Sequence, residues 1–204
     1  SAMTGRSRFQ LDNGGVYREG YDFYPEYTAA FPGFLKFHAP AALVDAMPPG
    51  YAEAVERNRD ELRKRAAILR EFGLKASLVG ASPQFLPECV YQAHPGWRGP
   101  RCDMPFRSRR PYFAPCVDHP EVLALYREAS ERIGAAAPNL DTAIFMCGDS
   151  GTGLCWQELY PGANGPQACA GRTLAARAAG FADALAHGLK GGGQPLIFLS
   201  HIPI

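Results

Sequence analysis

Residues 51–79 read YAEAVERNRDELRKRAAILREFGLKASLV, and this stretch decides the fold class. Tyr51, Val55, Leu62, Ala66, Leu69 and Phe72 recur at helical spacing and share one stripe. Glu53, Glu56, Arg57, Arg59, Asp60, Glu61, Arg63 and Lys64 cover much of the remaining surface, so a helix over 51–72 with one buried face is expected. Gly73 stands where the chain must leave that helix, in the position a residue without a Cβ fills best. The apolar run 74–79 follows at once as a short strand. A long helix, a glycine and a strand joined by a minimal turn form the junction from which parallel sheets are built.

The same junction repeats downstream. Asp118 is expected to cap a helix over 119–135, with Pro120 in its first turn, Glu121 as the reciprocal acid, and Val122, Leu125, Ala129 and Ile133 as the buried stripe. The nearly all-apolar strand 142–147 comes next and runs into a glycine-rich turn at 148–153. A third helix over 172–189 presents Leu174, Ala178, Phe181, Leu185 and Leu189, and a last strand covers 195–200. Upstream, 34–38 is read as a short strand, 1–32 as an irregular N-terminal segment with room for one short strand, and 33–204 as one domain. Both long connections, 80–117 and 148–171, lie after strands and before helices, the edge of a parallel sheet where ligands bind. The expected fold class is α/β: a half (β/α)₈, partial TIM-barrel-like parallel sheet with outer helices and long strand-end loops. Its last edge needs cover from the N-terminal segment, from a second copy in a homo-oligomer, or from a missing C-terminal half of the barrel.

Composition narrows the function classes. With 47% apolar and 20% charged residues the chain supports a core, and no apolar run approaches a membrane span. A net charge of +1 gives no general field for nucleic acid, so neither nucleic acid nor membrane is an expected partner. The six cysteines include no Cys-x-x-Cys pair and are read as mostly reduced thiols, with one or more disulfides as the alternative. His94 with Cys102 and Cys116, or Cys147 with Cys155 and Cys169, would supply a zinc site, but neither set has a recognised spacing. No metal and no cofactor is expected.

Asp149 is the leading catalytic candidate, because it lies two residues past an apolar strand among Gly148, Gly151 and Gly153, which leave its carboxylate accessible. Capping of backbone amides in a tight turn is the competing role. Glu158, beside Trp156 and Tyr160, and Glu88, in Pro87-Glu88-Cys89, are the other acids in view. Two carboxylates with aromatic rings nearby suit glycoside hydrolysis, in which acids flank the bond and rings stack on the sugar. Trp97, Trp156 and Tyr160 are the stacking candidates, and His38 and His201, each at or near a strand end, are candidates for hydroxyl binding or proton transfer. Ordinary solvated, capping or salt-bridged roles remain the alternative for each acid.

Residues 116–200 resemble the catalytic barrels of the alpha-glucuronidase and hexosaminidase-like (β/α)₈ glycoside hydrolases. The likeness runs through Asp118-His119-Pro120-Glu121-Val122, Pro138-Asn139-Leu140, Gly148-Asp149-Ser150-Gly151, Gly165-Pro166 and Gly171-Arg172-Thr173. It implies cleavage of a glycosidic bond with Asp149 in the place of a glutamate general acid, Glu158 as second claimant, and Arg172 among the substrate-binding residues. The alternatives are a non-catalytic carbohydrate-binding or assembly module, or an inactive fragment of a larger barrel enzyme. A carbohydrate is the ligand expected under the first two.

Overall fold

The computed structural model describes residues 8–11, 35–81, 86–101, 113–147, 168–169, 171–189 and 196–200. Its strands are β1 (Arg8–Leu11), β2 (Lys75–Ala81), β3 (Arg98–Arg101), β4 (Phe113–Pro115), β5 (Leu140–Cys147) and β6 (Leu196–Ser200). Its α-helices are α1 (Ala41–Val44), α2 (Tyr51–Glu71), α3 (Glu88–Ala93), α4 (Pro120–Ala136) and α5 (Leu174–Leu189).

Four strands form a parallel sheet in the order β1-β2-β5-β6, and β3 pairs antiparallel with β4 in a separate hairpin. The half-barrel expectation is corrected. Among the described residues no barrel closes, β1 and β6 stand at opposite edges of the larger sheet, and helical residues outnumber strand residues. Closure demands a tilt and stagger that bring the first strand onto the last, and among the described residues no such pairing exists.

The segment 34–38 is also corrected. Leu35–Phe37 is a 3-10 turn, closed by the His38 N–H donating to the Leu35 carbonyl at 3.1 Å. Leu35 and Phe37 are buried against α2 and α4, and packing there overrides the strand-like alternation. The outer neighbour of β2 is instead β1, a short strand of the kind the N-terminal segment has room for.

α2 buries Tyr51, Val55, Leu62 and Ala66, as its stripe requires, whereas Phe72 is 74% exposed at the helix terminus. Its end has a physical cause. Gly73 adopts φ 64, its N–H donates to the Arg70 carbonyl at 3.0 Å, and the Leu74 N–H donates to Leu69 at 2.8 Å. Those two bonds satisfy carbonyls that the last turn leaves open and aim the chain into β2.

α4 lies between α2 and α5. Val122, Leu125, Ala129 and Ile133 are buried, and Tyr126 meets Phe181 edge-on at 5.1 Å between ring centroids. Near the other end the two backbones come very close. A Cβ on Gly188 would lie 2.2 Å from the Glu131 nitrogen, and one on Gly134 would lie 2.8 Å from the Gly188 carbonyl oxygen. Asn139 joins the turn before β5 to the turn before β2, since its Nδ2 donates to the Ala66 and Leu74 carbonyls, each at 3.2 Å.

Candidate functional site

α4 leads into β5, and α5 connects β5 to β6, so both helices run against the strands. Their N-termini therefore meet at the carboxyl edge of the sheet, where parallel α/β folds place chemistry. At that edge one donor atom each from Cys116, Asp118 and Cys169 lies within 4.8 Å of the others.

Local structure explains the convergence. β3 and β4 present Cys116, whose N–H donates to the Trp97 carbonyl at 2.7 Å and prolongs the hairpin pairing. Asp118 follows in the turn before α4. Cys169 opens a turn in which the Arg172 N–H donates to its carbonyl at 3.0 Å. Gly171 sits in that turn at φ 79, a conformation that glycine takes without strain. Thr173 then caps α5 by accepting from the Ala176 N–H at 3.2 Å.

Asp118 does not cap α4. His119 occupies the cap position without a side-chain capping bond, and Glu121 accepts from Trp97 Nε1 at 2.7 Å instead of reaching back to the cap. The Asp118 carboxylate, with its side chain only 2% exposed, takes Arg172 Nη1 at 2.6 Å and Arg177 Nε at 2.7 Å. Both arginines stand at the start of α5, where the helix dipole disfavours cations, and the carboxylate offsets that cost. Cys116 and Cys169 are buried, with their sulfurs within 4.8 Å of each other. Burial first, and then the Cys116 neighbour, push the Cys169 thiol up, against the opposing pull of Arg177.

The sequence candidates distribute differently. Arg172 belongs to this cluster. Glu88 opens α3 and pairs with Arg98, whose guanidinium lies over the Tyr91 and Phe113 rings at 4.9 and 4.7 Å. Trp97 is buried, and His94 stacks on it with ring centroids 4.0 Å apart. His38 is buried among the helices and contacts Glu128 Oε2 through Nε2 at 2.8 Å. Burial holds its pKa below the ordinary histidine value, outweighing the hydrogen bond that Glu128 accepts. The structure brings none of Glu88, Trp97 and His38 into the thiol–carboxylate cluster. Asp149, Trp156, Glu158, Tyr160 and His201 lie outside the described residues.

Sequence reasoning missed the cluster because it placed Cys116 and Cys169 in different hypothetical zinc sets and assigned Asp118 to a helix cap. The available signal was two arginines, 172 and 177, at the start of a helix, a placement that calls for a nearby acid.

Comparisons with protein-family models, with curated proteins and with solved structures find no match for this chain. The resemblance to (β/α)₈ glycoside hydrolases is therefore corrected, since neither a family model nor a closed barrel supports it. The glycosidase function, the carbohydrate ligand, and the homo-oligomer or missing-half partner rested on that barrel and are corrected with it. No helix among the described residues is long and apolar enough to cross a membrane.

Proposed function

We propose that this chain is a metal-binding α/β domain in which Cys116, Asp118 and Cys169 hold a soft divalent cation of the zinc class. The observation that carries the reading is the convergence of two sulfurs and a carboxylate oxygen within 4.8 Å, from segments separated by more than fifty residues. Tetrahedral zinc, with bonds of about 2.3 Å to sulfur, sets two thiolates roughly 3.8 Å apart, so small adjustments bring these donors onto one ion.

Softness favours such a cation, because thiolates select zinc over magnesium or calcium. Charge is also compatible with it. Exchange of two thiol protons for one divalent ion leaves the net charge of the cluster unchanged beside the two guanidiniums. Arg172 and Arg177 keep the Asp118 carboxylate oriented, as hydrogen-bond partners of ligating carboxylates commonly do. Three protein donors leave the fourth tetrahedral position for water or for an incoming ligand.

The test is competition with a chromophoric zinc chelator, on full-length protein kept reduced with a phosphine. One equivalent of zinc is expected to bind, with cobalt substitution giving a thiolate charge-transfer band. Cys169→Ser should weaken zinc binding by at least ~10-fold, on the scale seen when the ligand environment of a site is disturbed. Stoichiometric binding that survives both Cys116→Ser and Cys169→Ser overturns the proposal, as does a reduced wild type that retains no zinc against the chelator.

A further inference from the structure

We propose that Cys116 and Cys169 are also an oxidisable pair, converted by a small peroxide into a disulfide that fastens the end of the β3–β4 hairpin to the turn before α5. This goes beyond the metal reading, uses the same two sulfurs, and requires no cation. The two residues stand 53 positions apart in the chain, yet their sulfurs lie within 4.8 Å of each other. Disulfide formation needs two sulfurs that approach with little backbone movement, and a separation within 4.8 Å leaves a short distance to close.

Burial selects the oxidant. Cys116 is 0% exposed and Cys169 6% exposed, so a bulky disulfide has no room to attack, whereas hydrogen peroxide is small and uncharged. The residual access lies at Cys169, which opens the turn leading to Arg172. Cys169 is thus the entry thiol and Cys116 the resolving one.

The chemistry balances in two steps. The Cys169 proton passes to solvent, the thiolate so formed attacks one peroxide oxygen, an S–O bond forms, the O–O bond breaks, and the departing hydroxide takes a proton back from solvent to leave as water. The Cys116 sulfur then attacks the sulfenic sulfur, the S–S bond forms, the S–O bond breaks, and the hydroxide leaves as a second water with the Cys116 proton. Both sulfurs are oxidised by one electron each, and one peroxide is reduced to two waters.

The disulfide and the proposed metal site exclude one another, because both consume the same thiolates. Oxidation would release a bound cation, and a bound cation would protect the pair.

The experiment uses full-length, chelator-treated protein, so that its outcome does not depend on whether zinc binds. Peroxide is added, remaining thiols are alkylated, and peptides are mapped by mass spectrometry without reduction. The expected result is a linked peptide joining Cys116 to Cys169, lighter by two hydrogens and separated again by a phosphine. Cys116→Ser should convert that product into a sulfenic acid at Cys169 that dimedone labels several-fold more than in the wild type. Cys116→Ala repeats the measurement if the serine variant folds poorly. Peroxide-treated wild type that yields no such linked peptide overturns the proposal, as does unchanged dimedone labelling in both variants. A redox result of either sign leaves the zinc titration under phosphine to be decided separately.

Discussion

Gly188 and Gly180 lie two turns apart in α5, and replacing each by alanine should move stability in opposite directions. At Gly188 the new Cβ would sit 2.1 Å from Ser130 Oγ, 2.2 Å from the Glu131 nitrogen and 2.6 Å from the Ser130 carbonyl carbon. Two of those three atoms are backbone, so no side-chain rotation relieves the overlap. α5 must move off α4 by more than an ångström at that point to restore an ordinary contact. Overpacking of this kind costs about 1–3 kcal/mol, against a helix-propensity gain of at most ~1 kcal/mol. At Gly180 the only atom among the described residues found within 4 Å of the new Cβ is Arg172 Nη2 at 3.7 Å, at the far end of a long side chain. There the propensity gain of about 0.5–1 kcal/mol remains nearly whole. Thermal unfolding followed by circular dichroism is the assay. At roughly 2–4 °C per kcal/mol for a chain of this size, Gly180→Ala should melt a few degrees above wild type and Gly188→Ala several degrees below it. A Gly188→Ala protein as stable as Gly180→Ala would refute the close approach of the two helices.

Two further outcomes are expected. Asp118→Asn should destabilise the fold by about 1.5–3 kcal/mol in urea titration, because Arg177, 11% exposed, loses a charged hydrogen-bond partner; an unchanged midpoint and slope would remove the ion pair from the account. For His38, whose folded pKa lies below 6.5, the unfolded chain takes up a proton first as pH falls, so the histidine's share of stability is whole above about pH 7 and is lost as pH falls from 6.5 towards the folded value. Glu128 opposes that loss while Arg59 and Arg132 add to it, and His38→Gln should flatten the decline in urea-unfolding free energy; equal acid sensitivity in the two proteins would count against the assignment.

What the sequence made legible were the elements with strong local causes. α2, α4 and α5 carry apolar stripes long enough for the helical period to show, and Gly73 marks a true helix end. Strands β2, β5 and β6 fall close to the apolar runs read as strands. Closure into a barrel was not legible, because it depends on long-range strand geometry, which neither the repeated helix–strand junctions nor the short loop motifs of a family likeness specify. In the structure those motifs have other duties: Asp118 binds two arginines, Asn139 bridges two turns, and Gly171-Arg172-Thr173 shapes and caps the start of α5. The thiol pair was invisible for a related reason. Cysteines 53 residues apart have no spacing signature, and only folding brings their sulfurs within 4.8 Å.

The bridge at Asn139 bears on how the molecule breathes. Its side chain holds Ala66 and Leu74, while its own carbonyl accepts the Ala76 N–H at 2.9 Å, so one residue couples the entry to β2 with the entry to β5. Neither turn can open without releasing bonds of the other. In native-state hydrogen exchange the amides at the start of both strands should therefore behave as one cooperative unit, with a shared opening free energy and a shared dependence on denaturant. The amino edge of the sheet would then fluctuate as a single hinge-free block, tied together by one carboxamide.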